Sequence, residues 1–204
     1  MAGCKILKTG ESEVIIKKSR FLGTAAEALT EEDAQKLVAD IRKTHYSARH
    51  VCYAYSIGDE NPRLKFSDDG EPGGTAGRPI LDVIQNSGIS NIVIVVVRYF
   101  GGVLLGTGGL VRAYTQAAQE AVQAADTKEI RLSNIYELSL DYSELDKIKY
   151  ILDNTENVSY EISYSDKVQL HVIVPEESSD ALMDSIVEKT AGRSTAKFIE
   201  KKMI

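Results

Sequence analysis

Residues Ile92 to Val97 are six consecutive β-branched residues. The run is too short to cross a membrane and too uniformly apolar for a half-exposed strand, so it predicts a central strand buried on both faces. Arg98 stands at its carboxyl end, and Gly101, Gly102, Gly106, Gly108 and Gly109 follow. Leu110, Tyr114, Ala117, Ala118, Ala121, Val122 and Ala125 then recur at spacings of three and four, which predicts one buried face of a helix. A strand, a glycine loop and a helix N-terminus in succession point free N–H groups outward, and Arg98 and Arg112 can add charge to an anion held there.

Upstream, Glu13 to Lys18 and Arg20 to Ala28 read as two strands of a hairpin. Thr30 caps a helix with an acidic first turn, and Ala34, Leu37, Val38 and Ile41 supply its inward stripe. His50 to Ile57 reads as a strand with Val51, Tyr53 and Tyr55 on one face. The stretch Gly58 to Gly77, GDENPRLKFSDDGEPGGTAG, shows no period and predicts a long loop. Pro79 suits the first turn of a helix with Ile80, Leu81 and Ile84 inward, ended by Gly88. Strand, glycine-rich loop and helix thus occur twice, and two such loops at one sheet edge would form a single cleft.

Beyond Ala125 a new set of periods begins, which places a domain boundary near Asp126 to Lys128, with domains over 1–126 and 127–204. Tyr136, Leu138, Leu140 and Tyr142 alternate as a strand, and Ser143 caps a helix with Leu145, Ile148, Ile151 and Leu152 inward. Val158 to Tyr164 and Val168 to Val174 read as a hairpin, Ser179 to Lys189 as a helix, and Ser194 to Glu200 as a last strand. The order β-α-β-β-α-β is ferredoxin-like. The fold class is α+β in two domains.

Composition narrows the function. The chain has 204 residues, 43% of them hydrophobic, enough for sizeable cores. It has neither a membrane-length apolar run nor the apolar stretch of a secretory signal, so a cytoplasmic protein without membrane attachment is expected. Cys4 and Cys52 are its only cysteines, too few for a disulfide framework or a cysteine-based zinc site. The formal net charge of −6 argues against a broadly basic nucleic-acid binder. Yet residues 1–126 carry 14 Lys+Arg against 15 Asp+Glu and the remainder 10 against 15. A local basic patch therefore fits the first part better than the second.

The glycine loops contain no GxxxxGK[ST] and Gly101 to Gly109 no lysine, so a nucleotide-hydrolysing P-loop is not expected. Loose phosphate cradling competes with the plainer reading that the glycines serve turns and close packing. Arg98 has likewise two readings, an anion ligand or an internal ion pair with Asp68, Asp69 or Glu71. Those three acids lack the alternating spacing of a calcium loop and read as a solvated turn. His45 and His50 read as surface histidines and Cys52 as a buried strand thiol, so no metal site, cofactor or organised nucleophile is expected. Tyr136, Tyr142, Tyr160 and Tyr164 read as core and rim of a half-buried sheet, or as stacking surfaces for bases.

Three stretches, KKSRF at Lys17 to Phe21, FSDDGEPGGTAGRPIL at Phe66 to Leu81 and VVVRYFGGVLLGTGGLVRAY at Val95 to Tyr114, resemble the IMPACT family, whose bacterial members are of the YigZ type. The resemblance implies a first domain like the second domain of ribosomal protein S-five and a second like the fifth domain of elongation factor G. It also implies a setting in translational control. The function expected is a non-catalytic translation-associated regulator that binds RNA, the ribosome or a ribosome-associated protein. Its anion or RNA contacts would come from Arg98, Gly101, Gly102, Gly106, Gly108, Gly109, Arg112, Gly73, Gly74 and Arg78. The competing classes are an enzyme acting on a phosphorylated small molecule in the glycine-loop cleft and a protein-interaction adaptor.

Overall fold

The computed structural model describes residues 2–59 and 61–204, Ala2 by its backbone alone. The chain divides into compact units over Gly3–Glu129 and Ile130–Ile204. In chain order the elements of the first unit are β1 (Ala2–Lys8), β2 (Gly10–Ile16), β3 (Ser19–Glu27), α1 (Glu31–Thr44), β4 (His50–Ile57), β5 (Arg63–Ser67), α2 (Gly77–Ser87), β6 (Ile92–Tyr99) and α3 (Thr107–Ala124). Strands β2 to β6 form an antiparallel sheet in the order β2-β3-β6-β4-β5. The apolar run lies at its centre and every residue of it is buried. Ile92, Ile94 and Val96 face a core shared with α2 and α3. Val93, Val95 and Val97 face a second core with Val51 and Tyr55 of β4 and Ala34 and Val38 of α1. Helices on both faces explain why this strand reads as continuous rather than alternating.

Local chemistry sets the ends. Thr30 and Asp33 form a reciprocal capping box at the start of α1, and Gly88 ends α2 in the left-handed region. The β2-β3 hairpin closes through Lys17 and Lys18, both at positive φ (46° and 67°), the backbone of a tight hairpin turn usually built from Asn and Gly.

One expectation changes. The stretch Gly58 to Gly77 is not one long loop, because Arg63–Ser67 returns as β5 along β4. Its side chains lie at a sheet edge, so they show no buried alternation. The return has a topological effect. β4 pairs His50 with Arg98 and Ser56 with Ile92, so its own far end lies at the opposite edge from the end of β6. β5 brings the chain back before the second glycine loop begins. A strand, β7 (Asp126–Leu140), starts directly after Ala125.

In the second unit β7 is followed by a 3-10 turn (Tyr142–Glu144), α4 (Leu145–Asp153), β8 (Ser159–Tyr164), β9 (Val168–Pro175), α5 (Glu176–Thr190) and β10 (Thr195–Met203). β7 pairs with β9 and β10, and β8 adds to β9, all antiparallel. Leu138, Leu140, Leu170 and Val172 pack with Ile148 and Leu152 of α4 and Leu182 and Ile186 of α5. Tyr136 and Tyr160 join this core, whereas Tyr142 and Tyr164 stack on each other, 6.3 Å apart, at the exposed rim. Glu144, buried, accepts from Arg193 and Lys147. Burial alone would push its carboxyl up, but those two donors hold it below the ordinary range.

Candidate functional site

Four strand ends meet where β6 stops: Arg98 lies opposite Phe21 of β3 and His50 of β4, and Ser67 of β5 lies opposite Tyr53. Both glycine loops leave from this edge. They are joined by a buried ion pair, Arg98 Nη1 donating to Glu71 Oε1 at 2.8 Å and Oε2 at 3.1 Å, with side chains only 7% and 3% exposed. The Tyr114 hydroxyl of α3 donates to the same Oε1 at 2.7 Å, and the Cys52 thiol lies 3.4 Å from that hydroxyl. The Arg98 guanidinium lies over the rings of both Phe21 and Phe100, 5.5 Å from each centroid. Burial pushes the Cys52 thiol up to about 12 and raises the Tyr114 hydroxyl as well, so both stay protonated at neutral pH.

The acidic turn is therefore not solvated. Besides Glu71, Asp68 accepts N–H bonds from Gly74 at 2.9 Å, Ala76 at 2.9 Å and Gly77 at 2.8 Å. Burial raises its carboxyl, but those three donors outweigh burial and hold it below the usual range. Asp68 thus occupies the N-terminus of α2, whose own cap residue Ala76 offers no side-chain acceptor. Asp69 accepts from Val51 N–H at 2.7 Å and pairs with Arg42 at 2.9 Å. The histidines are likewise engaged rather than free at the surface. His50 Nδ1 lies 2.9 Å from the Asp69 carbonyl, which can only accept, so Nδ1 carries a proton. His45 Nδ1 lies 2.9 Å from the Tyr99 hydroxyl.

The glycines separate by purpose. A Cβ on Gly101 would stand 2.0 Å from the Lys18 carbonyl carbon, and one on Gly77 2.7 Å from Ser67 backbone, so these two permit close packing. Gly74, Gly102 and Gly106 have φ of 77°, 83° and 71°. A Cβ on Gly109 would touch the Leu105 side chain at 3.0 Å. Gly73 and Gly108 have neither reason: their φ is not positive and a Cβ would meet nothing within 4 Å. α3 begins behind Gly106, which gives no side-chain cap, and Gly108 in its first turn is exposed. One helix N-terminus of the pair is filled from within by Asp68, and the other is left open.

Among the expected cations, Arg98 is spent on Glu71 and Arg78 on Asp82 at 2.8 Å. Arg112 is exposed on α3 and no described acid pairs with it. Lys17 and Lys18 were not among the residues singled out from the sequence, yet they lie against this loop. Gly101 packs on Lys18 and its N–H donates to Ser19 Oγ at 3.1 Å. Both lysines are exposed. The only signal for them was the KKSRF motif itself, whose turn position could be read but whose neighbour across the sheet could not.

Comparison with known proteins gives this arrangement a lineage. Residues 17–122 match the profile of the Impact N-terminal domain, and residues 138–193 match a domain of unknown function, DUF1949. The chain is 38% identical to the IMPACT family member YvyE of Bacillus subtilis over 94% of this chain and 88% of that protein. It is 41% identical to the IMPACT family member YigZ of Escherichia coli over 78% of this chain and 79% of that protein. A crystal structure of a hypothetical protein, 34% identical, superposes over 98% of both chains with a TM-score of 0.62. The first profile spans the lysine turn, both glycine loops and the buried Glu71–Arg98–Tyr114 network, and near-full-length relatives carry both domains. On these matches the chain belongs to the IMPACT family.

Proposed function

We propose that this protein is a non-catalytic, cytoplasmic, translation-associated regulator that binds RNA, free or on the ribosome, through the glycine-loop edge of its first domain. The observation that carries the reading is the contrast between two neighbouring helix N-termini. Asp68 fills that of α2, whereas α3 starts at an uncapped segment with Gly106 and Gly108 exposed, at the end of a loop that packs through Gly101 on Lys18. N–H groups and unpaired cations with no side chain in the way suit a phosphate oxygen. The translational setting comes from the family resemblance. With it comes the likeness of the domains, divided by the sequence periods into 1–126 and a ferredoxin-like 127–204, to ribosomal protein S-five domain two and to the fifth domain of elongation factor G. Gly101, Gly102, Gly106, Gly108, Gly109, Gly73, Gly74 and Arg112 remain the proposed RNA edge. Arg98 and Arg78 support it from within their own ion pairs.

RNA-binding isotherms over a salt series test this directly. Affinity is expected to fall steeply with salt, and the double variant Lys17→Ala/Lys18→Ala to bind more weakly with a log–log slope shallower by roughly one to two. A salt-independent affinity, or a double variant identical to wild type, would exclude phosphate contacts at this edge. One observation favours a protein-interaction adaptor instead: Leu104 is 81% exposed at the tip of the same loop. Apolar docking of that kind would survive high salt.

A further inference from the structure

We infer that Phe100 is a stacking platform, so that the RNA taken at this edge is single-stranded. The inference rests on the RNA reading above and narrows it. Phe100 follows β6 directly and is 49% exposed. One face of the ring lies against the Arg98 guanidinium, 5.5 Å from its centroid, and that guanidinium is itself held by Glu71 and lies over Phe21 as well. A half-exposed aromatic side chain is commonly mobile, but this one rests on a buried, doubly anchored cation. Its ring is therefore held in place, which removes much of the ordering cost of stacking a base upon it.

The surroundings match the rest of a nucleotide. Gly101, the residue after Phe100, packs on the Lys18 backbone, and the left-handed backbone of Lys17 and Lys18 fixes the direction of that turn. Arg20, the nearest cation along β3, is shared between Glu13 and the face of Tyr99, so the unpaired charge beside Phe100 is that of the lysines. Gly102, two residues after Phe100, offers no side chain and open space. An aromatic face with cations alongside is how sequence-tolerant single-strand binders hold successive nucleotides. A base within a duplex presents no free face to such a ring, so a duplex would meet only the charges. The bland alternative is that Phe100 merely shields the Arg98–Glu71 pair from water.

The chain contains no tryptophan, so Phe100→Trp makes a unique fluorescent reporter. Full-length Phe100→Trp is titrated with a single-stranded oligoadenylate and with the same oligonucleotide annealed to its complement. Quenching by the single strand and none by the duplex is expected. In parallel, Phe100→Leu, which keeps the cover over the ion pair, is expected to weaken single-strand binding by roughly five- to one-hundred-fold with an unchanged melt, while Phe100→Tyr binds like wild type. Phe100→Ala reports any loss of cover as a lower melting temperature. Wild-type affinity equal for single strand and duplex, unquenched tryptophan, or unaltered binding by a folded Phe100→Leu overturns the stacking role and leaves RNA binding standing. Binding of neither nucleic acid by wild type overturns both.

Discussion

Glu71 ties the two glycine loops together, because three elements converge on its carboxylate: Arg98 at the end of β6, Tyr114 of α3, and its own loop. A buried pair of this kind adds little net stability over an apolar replacement, but removing one partner strands the other charge. Glu71→Ala is therefore expected to cost about 3–5 kcal/mol in urea denaturation, and Arg98→Met alone a similar amount. The pair of changes made together should cost much less than their sum. Strict additivity would mean that the two side chains do not act as a unit. The same geometry corrects the simplest use of Arg98 as a binding contact, since its Nη1 is already committed and its Nε is buried without a partner. A loss of RNA binding in an Arg98 variant would therefore have to be separated from loss of fold. For that reason the lysine turn, Phe100 and Gly108 are better positions at which to probe binding.

At the scale of elements, Asp68 acts as a cap borrowed from the preceding loop. Asp68→Ala removes the one acceptor among the described residues for the Ala76 and Gly77 N–H groups and is expected to cost about 1–2 kcal/mol, with fraying of α2 seen by hydrogen exchange. The pH dependence has a definite sign. The folded carboxyl lies below its ordinary value of 3.8, so its contribution is fully present above that pH and is lost as pH falls through the folded value. The gap between wild type and Asp68→Ala should close in acid, and a gap that persisted unchanged at pH 2 would show that the charge is immaterial. The sequence revealed these elements unevenly. β6, α1, α2 and α3 were plain because burial on one or two faces leaves a period in the residues. β5 was not, because Arg63, Leu64, Lys65 and Phe66 are all exposed at an edge and no period survives. β1 was not read either, with Ile6 its one fully buried side chain among the described residues. Nor could spacing choose among Asp68, Asp69 and Glu71 as the partner of Arg98, since that choice depends on where β5 delivers the loop. The Lys17–Lys18 turn was visible as a hairpin, but its approach to Gly101 is a contact between segments far apart in the sequence.

For the whole molecule, the acidic balance lies in the second part of the chain, and the near-neutral first part places the exposed Lys17–Lys18 turn against the second glycine loop. Family membership covers both domains, yet the features argued to bind RNA all lie in the first. Gly108 gives the cleanest test of that edge, because it stands in the exposed first turn of α3 with open space where a side chain would go. An aspartate there favours the helix, by about 0.3–1 kcal/mol through the helix dipole and by a similar amount through the loss of a glycine, but repels a phosphate. Stability and binding should therefore move in opposite directions, which a purely structural role for the glycine loop does not allow. The decisive measurement is co-sedimentation of wild type and Gly108→Asp with ribosomes at low and high salt, alongside their thermal melts. Wild type is expected to pellet at low salt and to be released at high salt, and Gly108→Asp to melt no lower than wild type yet stay in the supernatant. Equal pelleting of a well-folded Gly108→Asp, or no pelleting of wild type at low salt, would contradict the account.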